Sequence, residues 1–336
     1  MTHEFKKIVR DYLDAKAKGL KTVLATVVAL EGSSYRRPGV RMLILEDGSV
    51  SGAVSGGCVE KEIIRQAESV FKDNTSKIIT YDGRFRLGCE GILYILLEPF
   101  RPKDEVVHSI GKALKARQEF TIQSYFEKKE GTQQDYGSVI RLGSMVLSFF
   151  EDRKTGPELA VFEQQMPPCF KLIIIGAEHD AVQLCSFAAM AGWEVVIIAD
   201  PKEEKNILDF KGADEFLSVT PENFPLEEVD QQTAVMLMNH SYAKDLNFLM
   251  ILQHIQCAYF GLLGPLKRRE KLFEALMEHS PELSYDFIDH IHGPAGLNIG
   301  AETPQEIAIA IMAEILSVIR NKEPMRLKNK KTGIHD

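Results

Sequence analysis

The stretch VSGGCVEKEI, residues 54–63, sets the thiol of Cys58 behind two glycines, Gly56 and Gly57, where an apolar run gives way to a charged, helix-prone one. A helix is predicted over 57–71, which puts Cys58 in its first turn. There the helix dipole favours the thiolate, the form that attacks electrophiles and binds soft metals. Glu60 and Glu62 oppose that effect, and a free cysteine is often only a small buried hydrophobe. A second glycine-flanked thiol, Cys89, stands in LGCEG, whereas Cys169, Cys185 and Cys257 fall in apolar strand or helix patterns and read as core. The loop EGSSYRRPG offers Ser33, Ser34, Arg36 and Arg37 between Gly32 and Gly39. Such donors suit a small anion, and equally a polar connection with solvated arginines.

A third constellation lies in the second half. IIIGAEHDA follows the pattern of a strand turning into a helix, with Gly176 at the turn and Ala181 at the helix-packing position of a dinucleotide fingerprint. Glu178 occupies the middle position, where glycine lets the backbone approach a pyrophosphate and where the helix N-terminus favours an anion. Asp200, closing the next strand, stands where a ribose-binding acid belongs. NAD(P) is therefore a candidate ligand by fold logic, and Glu178 argues against it. His179 after the first strand and His240 at the end of the fourth could face one crevice, with Asn239 and the GLLGPLKRR loop (261–269) nearby.

These residues need a scaffold, and the apolar spacing supplies it. Phe5, Ile8, Val9, Tyr12 and Leu13 follow helical spacing. TVLATVVAL (22–30) reads as a buried strand, Asp47-Gly48 as a hairpin turn, 77–80 and 91–97 as strands, and 104–117 as a helix. Residues 119–150 suggest three more strands, with turns at Glu130-Gly131 and Gly143. We place an N-terminal α/β domain over 1–150 and a proline-containing connection over 151–168. Strands at 194–200, 215–219, 233–240 and 258–264 alternate with helices beyond it. That alternation predicts a Rossmann-like, doubly wound parallel sheet over 169–322 with strand order 3-2-1-4-5, followed by a solvated tail over 323–336. Thr303, Pro304 and Glu306 mark the start of the last helix.

Bulk properties narrow the function. The 336 residues are 45% hydrophobic and carry a net charge of −8 with both signs interleaved, which disfavours nucleic-acid binding. No stretch approaches the roughly 18 apolar residues of a membrane span, and the N-terminus has no signal-peptide pattern. Five widely spaced cysteines without a CxxC pair suit a reducing cytoplasm and give neither a disulfide framework nor a structural zinc site.

Three segments in order, EGSSYRRPGVRMLILEDGSVSGAVSGGCVEKEI, YFGLLGPLKRRE and HGPAGLNIGAETPQEIAIAIMAEI, resemble the xanthine dehydrogenase accessory factor family, which includes maturation factors of carbon monoxide dehydrogenase. The resemblance implies a cofactor-insertion chaperone rather than an enzyme with its own turnover, acting in purine catabolism. It would hold molybdenum cofactor (molybdopterin), support its sulfuration by a cysteine desulfurase, and deliver it to xanthine dehydrogenase or a related molybdenum hydroxylase, as a homodimer. The family's glycine-glycine-cysteine motif falls on Gly56, Gly57 and Cys58, with Cys58 as the metal-side thiol; its arginine-glycine-methionine pattern falls on Arg36, Gly39 and Met42, or with Arg37 and Pro38 as its core, and its second cysteine on Cys89. The chain departs from many members at Glu90, Glu178 and Asn298. Rival readings are an NAD(P)-dependent oxidoreductase using His179 or His240 as proton donor, a nucleotidyltransferase built on the 32–39 loop, and a non-catalytic subunit of the dehydrogenase.

Overall fold

A computed structural model describes residues 1–32, 37–55, 57, 59–83, 91–151, 156 and 158–331. The chain divides into two units, Met1–Pro168 and Cys169–Asp336.

The first unit runs α1 (Thr2–Ala17), β1 (Thr22–Glu31), β2 (Arg41–Leu45), β3 (Val50–Gly52), α2 (Glu60–Asp73), β4 (Ser76–Asp82), β5 (Ile92–Pro99), α3 (Asp104–Lys115), β6 (Phe120–Phe126), β7 (Gly131–Gln133), β8 (Gly137–Leu142), β9 (Met145–Ser148) and β10 (Ala160–Met166). A six-stranded sheet has the order β3-β2-β1-β5-β4-β7, and a four-stranded one the order β10-β6-β8-β9. Period-two alternation in β1 and β2 gives the larger sheet two apolar faces. One takes the Ile63, Ala67 and Val70 stripe of α2 onto Val23, Ala25, Met42 and Ile44. The other, with Leu24 and Leu43, packs among Phe5 and Tyr12 of α1, Ile110 of α3, and Ile122 and Ile140 of the smaller sheet.

Three details differ from the sequence expectation. The helix expected from residue 57 begins at Glu60 with Val59 as N-cap; Cys58, expected in its first turn, lies outside the described residues. Gly57 has φ +117°, a backbone conformation no helix accommodates. Residues 119–150 hold four strands, because Gly131–Gln133 leaves the smaller sheet and pairs with β4. Within 151–168, residues Ala160–Met166 form an edge strand in register with β6, from Ala160 opposite Phe126 to Met166 opposite Phe120.

The second unit runs β11 (Lys171–Ile175), α4 (His179–Met190), β12 (Glu194–Ala199), β13 (Glu215–Ser218), β14 (Thr233–Leu237), α5 (Tyr242–Leu252), β15 (Tyr259–Leu262), α6 (Leu266–His279), α7 (Tyr285–Asp289), β16 (Ile291–His292) and α8 (Pro304–Arg320). Its six strands are all parallel in the order β13-β12-β11-β14-β15-β16. This is the doubly wound arrangement expected, with β16 added at one edge. The near-continuous apolar strands LIII, EVVIIA and TAVML are what a sheet covered on both faces requires. Thr303 caps α8 in a reciprocal capping box with Glu306, Pro304 at the first turn. Among the described residues no helix is long and apolar enough to cross a membrane.

Candidate functional site

The topology of the larger sheet gathers the candidate loops of the first unit. Glu31, the last residue of β1, pairs with Ile92, the first of β5, and Ile92 also pairs with Asp82, the last of β4. At the same end β2 begins at Arg41 and its Met42 faces Gly52, the last residue of β3. The chain segments 32–40, 53–59 and 83–91 therefore all leave from one end of one sheet. They contain Ser33, Ser34, Arg36, Arg37, Gly39, Gly56, Gly57, Cys58 and Cys89. Ser33, Ser34, Arg36, Gly56, Cys58 and Cys89 themselves lie outside the described residues. The stem of the Cys89 segment is closed by the Gly83 N–H donating to the Gly91 carbonyl at 3.0 Å.

Arg37 is exposed, whereas Gly39 is buried at φ +99°. Its N–H donates to the Val27 carbonyl at 2.8 Å, and its own carbonyl accepts from Arg41 Nη1 at 3.0 Å. The same Nη1 donates to Gln164 Oε1 of β10. A Cβ on residue 39 would lie 2.4 Å from Gln164 Nε2, so any other residue there must displace the Gln164 amide and hold a positive φ that favours glycine. Arg41 is 6% exposed and packs over the Phe5 ring, 5.9 Å from its centroid. Burial pulls its guanidinium down to about 10, still protonated at neutral pH. Neither its Nε nor its Nη2 has a hydrogen-bond partner among the described residues, and neither has Thr26 Oγ1 across the strand pair.

Glu60 organises the segment before α2. Its Oε1 accepts the Ser55 N–H at 2.6 Å, and its Oε2 accepts the Ser55 hydroxyl at 2.7 Å and the Gly57 N–H at 2.9 Å. Burial raises its carboxyl pKa, but these donors outweigh burial and the net shift is downward. Glu62 is occupied with Arg65 and Gln66. Sequence reasoning counted Glu60 only as a charge opposing the thiolate and passed over Arg41 and Gln164. The signals for the first two were local: a glutamate three residues after a glycine, and an arginine heading an apolar strand. Gln164 carried none. Of the other cysteines, burial pushes the thiols of Cys185 and Cys257 up to about 11, consistent with their reading as core.

In the second unit the loops after β11 and β14 meet at the point where the strand order reverses. Gly176 has φ +131°, and a Cβ there would lie 2.8 Å from the carbonyl carbon and oxygen of Met238. Glu178, the extended N-cap of α4, turns its carboxylate toward His240, with Oε2 3.9 Å from Nδ1. His179 opens α4 and is exposed, as is His240. Asp200 is held by Lys244 Nζ at 2.9 Å, and that contact lowers its pKa. Lys205 Nζ donates to the Ala177 carbonyl. Arg268 donates to the Asn239 carbonyl at 3.0 Å and to Asp245 Oδ2 at 2.7 Å; Asp245 is fully buried and also accepts from Asn239 Nδ2 at 3.0 Å. Each of these cations has a protein acceptor, and a carboxylate stands at the helix N-terminus. That carboxylate opposes a dinucleotide pyrophosphate. Among the described residues no three His, Cys, Asp or Glu side chains converge to hold a metal ion.

Comparison with known proteins agrees with this two-part architecture. The family described as XdhC and CoxI family matches residues 15–82, and the XdhC Rossmann domain matches residues 172–315. A probable xanthine dehydrogenase subunit from Bacillus subtilis is 29% identical over 322 residues, covering 88% of this chain and 92% of that one. The molybdenum cofactor insertion chaperone PaoD of Escherichia coli is 25% identical over 331 residues, covering 96% and 91%. The crystal structure of a xanthine dehydrogenase from Bacillus halodurans superposes with a TM-score of 0.76 at 25% identity, over 94% of this chain and 96% of the other. Residues 15–82 thus carry an XdhC and CoxI family region and residues 172–315 an XdhC Rossmann domain, in a chain that is similar to these relatives over nearly its whole length.

Proposed function

We propose that this chain carries molybdenum cofactor to a molybdenum hydroxylase of the xanthine dehydrogenase type, with the first unit as the carrier. A maturation role follows from relatives named as a dehydrogenase subunit and as a cofactor insertion chaperone. The observation that carries the finer reading is the convergence, at one end of one sheet, of the segments bearing Cys58, Cys89 and the serine-arginine loop. Cargo with a phosphate, a pterin and a dithiolene-bound metal asks for anion donors beside a soft ligand, and those segments supply both residue types. Arg41 and Gln164 fix Gly39, where the serine-arginine loop rejoins the sheet, and Glu60 fixes the approach to α2. Sulfuration by a cysteine desulfurase, a homodimeric state and a cytoplasmic location belong to the same reading. Ser33, Ser34, Arg36, Arg37, Gly39, Gly56 and Gly57 would face the anionic part, Cys58 the metal, and Cys89 the same end.

The test is anaerobic equilibrium binding of molybdenum cofactor to wild type and Cys58→Ala, with NAD as a parallel ligand. Retention by wild type and at least tenfold weaker retention by the variant is the expected result. Tight NAD binding without cofactor uptake would transfer the function to the second unit, against the engagement of Asp200 and the position of Glu178. A second reading, a resident subunit of the dehydrogenase, is favoured by the name of the Bacillus subtilis relative. Co-purification at fixed stoichiometry with an already loaded dehydrogenase would select it over a transient carrier.

A further inference from the structure

On the α2 side of the larger sheet, a groove of about 280 Å³ runs along β4. Ile79 and Tyr81 form its floor and Val59 and Ile63 its near side, four apolar residues of one core cluster. One wall is a hydrogen-bonded chain. Gln66 Nε2 donates to Glu62 Oε1 at 2.7 Å, while Lys77 Nζ donates to Gln66 Oε1 at 2.6 Å and to Ser69 Oγ at 2.9 Å. An ammonium has three protons, so this chain leaves one for a ligand. The other wall is β7 and the residue before it. Thr132 stands opposite Lys77 in register, and Glu130 accepts the Thr80 N–H at 3.0 Å and the Thr80 hydroxyl, both on Oε1. Those bonds hold the Glu130 carboxyl ionised and leave Oε2 for a ligand.

The lining selects among ligand classes. Two carboxylates repel a phosphate or a carboxylate. The volume lies at the small end for organic ligands and is too little for a dinucleotide. What suits an apolar floor, a carboxylate oxygen and one ammonium proton is a flat, uncharged ring with adjacent N–H donors and a carbonyl. A fused pyrimidine with a 2-amino-4-oxo edge has this pattern. From Lys77 to Tyr81 the strand spans about 13 Å at the usual rise, enough for a fused ring system. Val59 and Tyr81 lie at the end of the groove from which the Cys58 and Cys89 segments depart.

We propose that this groove binds a 2-amino-4-oxo pyrimidine edge, with Glu130 accepting its N–H groups and Lys77 donating to its carbonyl. Resting on the carrier reading, the occupant is the pterin end of the cofactor, which would put its metal end toward the candidate thiols. The same edge occurs in guanine, so the probes are 6-hydroxymethylpterin and guanosine. Each is titrated by calorimetry into the full chain and into Glu130→Gln and Thr132→Trp, with whole cofactor tested anaerobically alongside. Thr132 is exposed, so tryptophan there fills the groove without entering the core. The expected result is pterin binding that weakens at least tenfold in both variants, with guanosine much weaker. Guanosine binding better than pterin would overturn the cofactor assignment and make the groove a purine site. No pterin binding, or binding equal in all three proteins, overturns the groove itself. If whole cofactor then binds all three alike, the carrier reading survives without the groove. Variant-sensitive pterin binding with no cofactor uptake by wild type leaves the groove standing and removes the carrier.

Discussion

Replacing Gly39 by alanine tests the brace that holds the serine-arginine loop. The new Cβ would meet Gln164 at 2.4 Å from Nε2, 2.7 Å from Cδ and 2.9 Å from Oε1. Gln164 has little room to move, being 9% exposed and tied through Oε1 to Arg41. A residue with a Cβ at φ +99° adds backbone strain. Left-handed backbone costs about 1–2 kcal/mol and overpacking about 1–3 kcal/mol, so a loss near 3 kcal/mol is expected. That corresponds to roughly a hundredfold in the opening equilibrium. Trp193, the sole tryptophan, lies in the second unit, so its fluorescence does not read this change. Amide exchange does: the Val27 N–H, bonded to the Val40 carbonyl at 3.1 Å, should exchange on the order of a hundred times faster in Gly39→Ala. Gln164→Ala in the same chain removes the clash but not the backbone strain. The double variant should therefore be more protected than the two single effects sum to. Exchange within about threefold of wild type, or strictly additive variants, would refute the brace.

Two further outcomes concern the second unit, where Trp193 is the reporter. Burial raises the Glu314 carboxyl pKa, but bonds from His292, from the Tyr259 hydroxyl at 2.5 Å and from the Gly296 N–H at 2.8 Å more than reverse this, so its folded pKa is depressed. Its contribution is therefore present above the ordinary carboxylate range and lost as pH falls through the depressed value; Glu314→Gln should lower the urea midpoint at neutral pH and flatten that acid dependence. Asp245→Ala removes the buried carboxylate that pairs with Arg268, which keeps its bond to the Asn239 carbonyl, and should destabilise the unit by about 1–3 kcal/mol, read as an earlier urea transition.

The parts legible in the sequence are those with a local repeat. Strand and helix alternate through the second half with apolar runs of the right lengths, and a threonine, a proline and a glutamate at fixed spacing announce α8. Where the sequence misled, a local rule met a longer-range condition. The start of α2 was read from its charge pattern, whereas the positive φ of Gly57 and the reach of Glu60 back to Ser55 set it later. The strand Gly131–Gln133 has three exposed residues and no alternation to betray it; the edge of β4 makes it a strand. Gln164 could not be found at all, because the residue that requires it, Arg41, lies 123 positions away.

Gly176 shows how such a condition changes the meaning of a motif. In the sequence it stands as the first glycine of a dinucleotide turn, and that position argues for a bound nucleotide. In the fold a Cβ there would strike the backbone of Met238 at 2.8 Å and the Asn239 nitrogen at 3.0 Å. Packing of the β14 loop against the β11 loop thus demands a glycine whether or not any ligand binds. The two residues that would touch a dinucleotide directly are already engaged, Asp200 with Lys244 and Glu178 facing His240. A fingerprint glycine explained by its own scaffold is no argument for a cofactor.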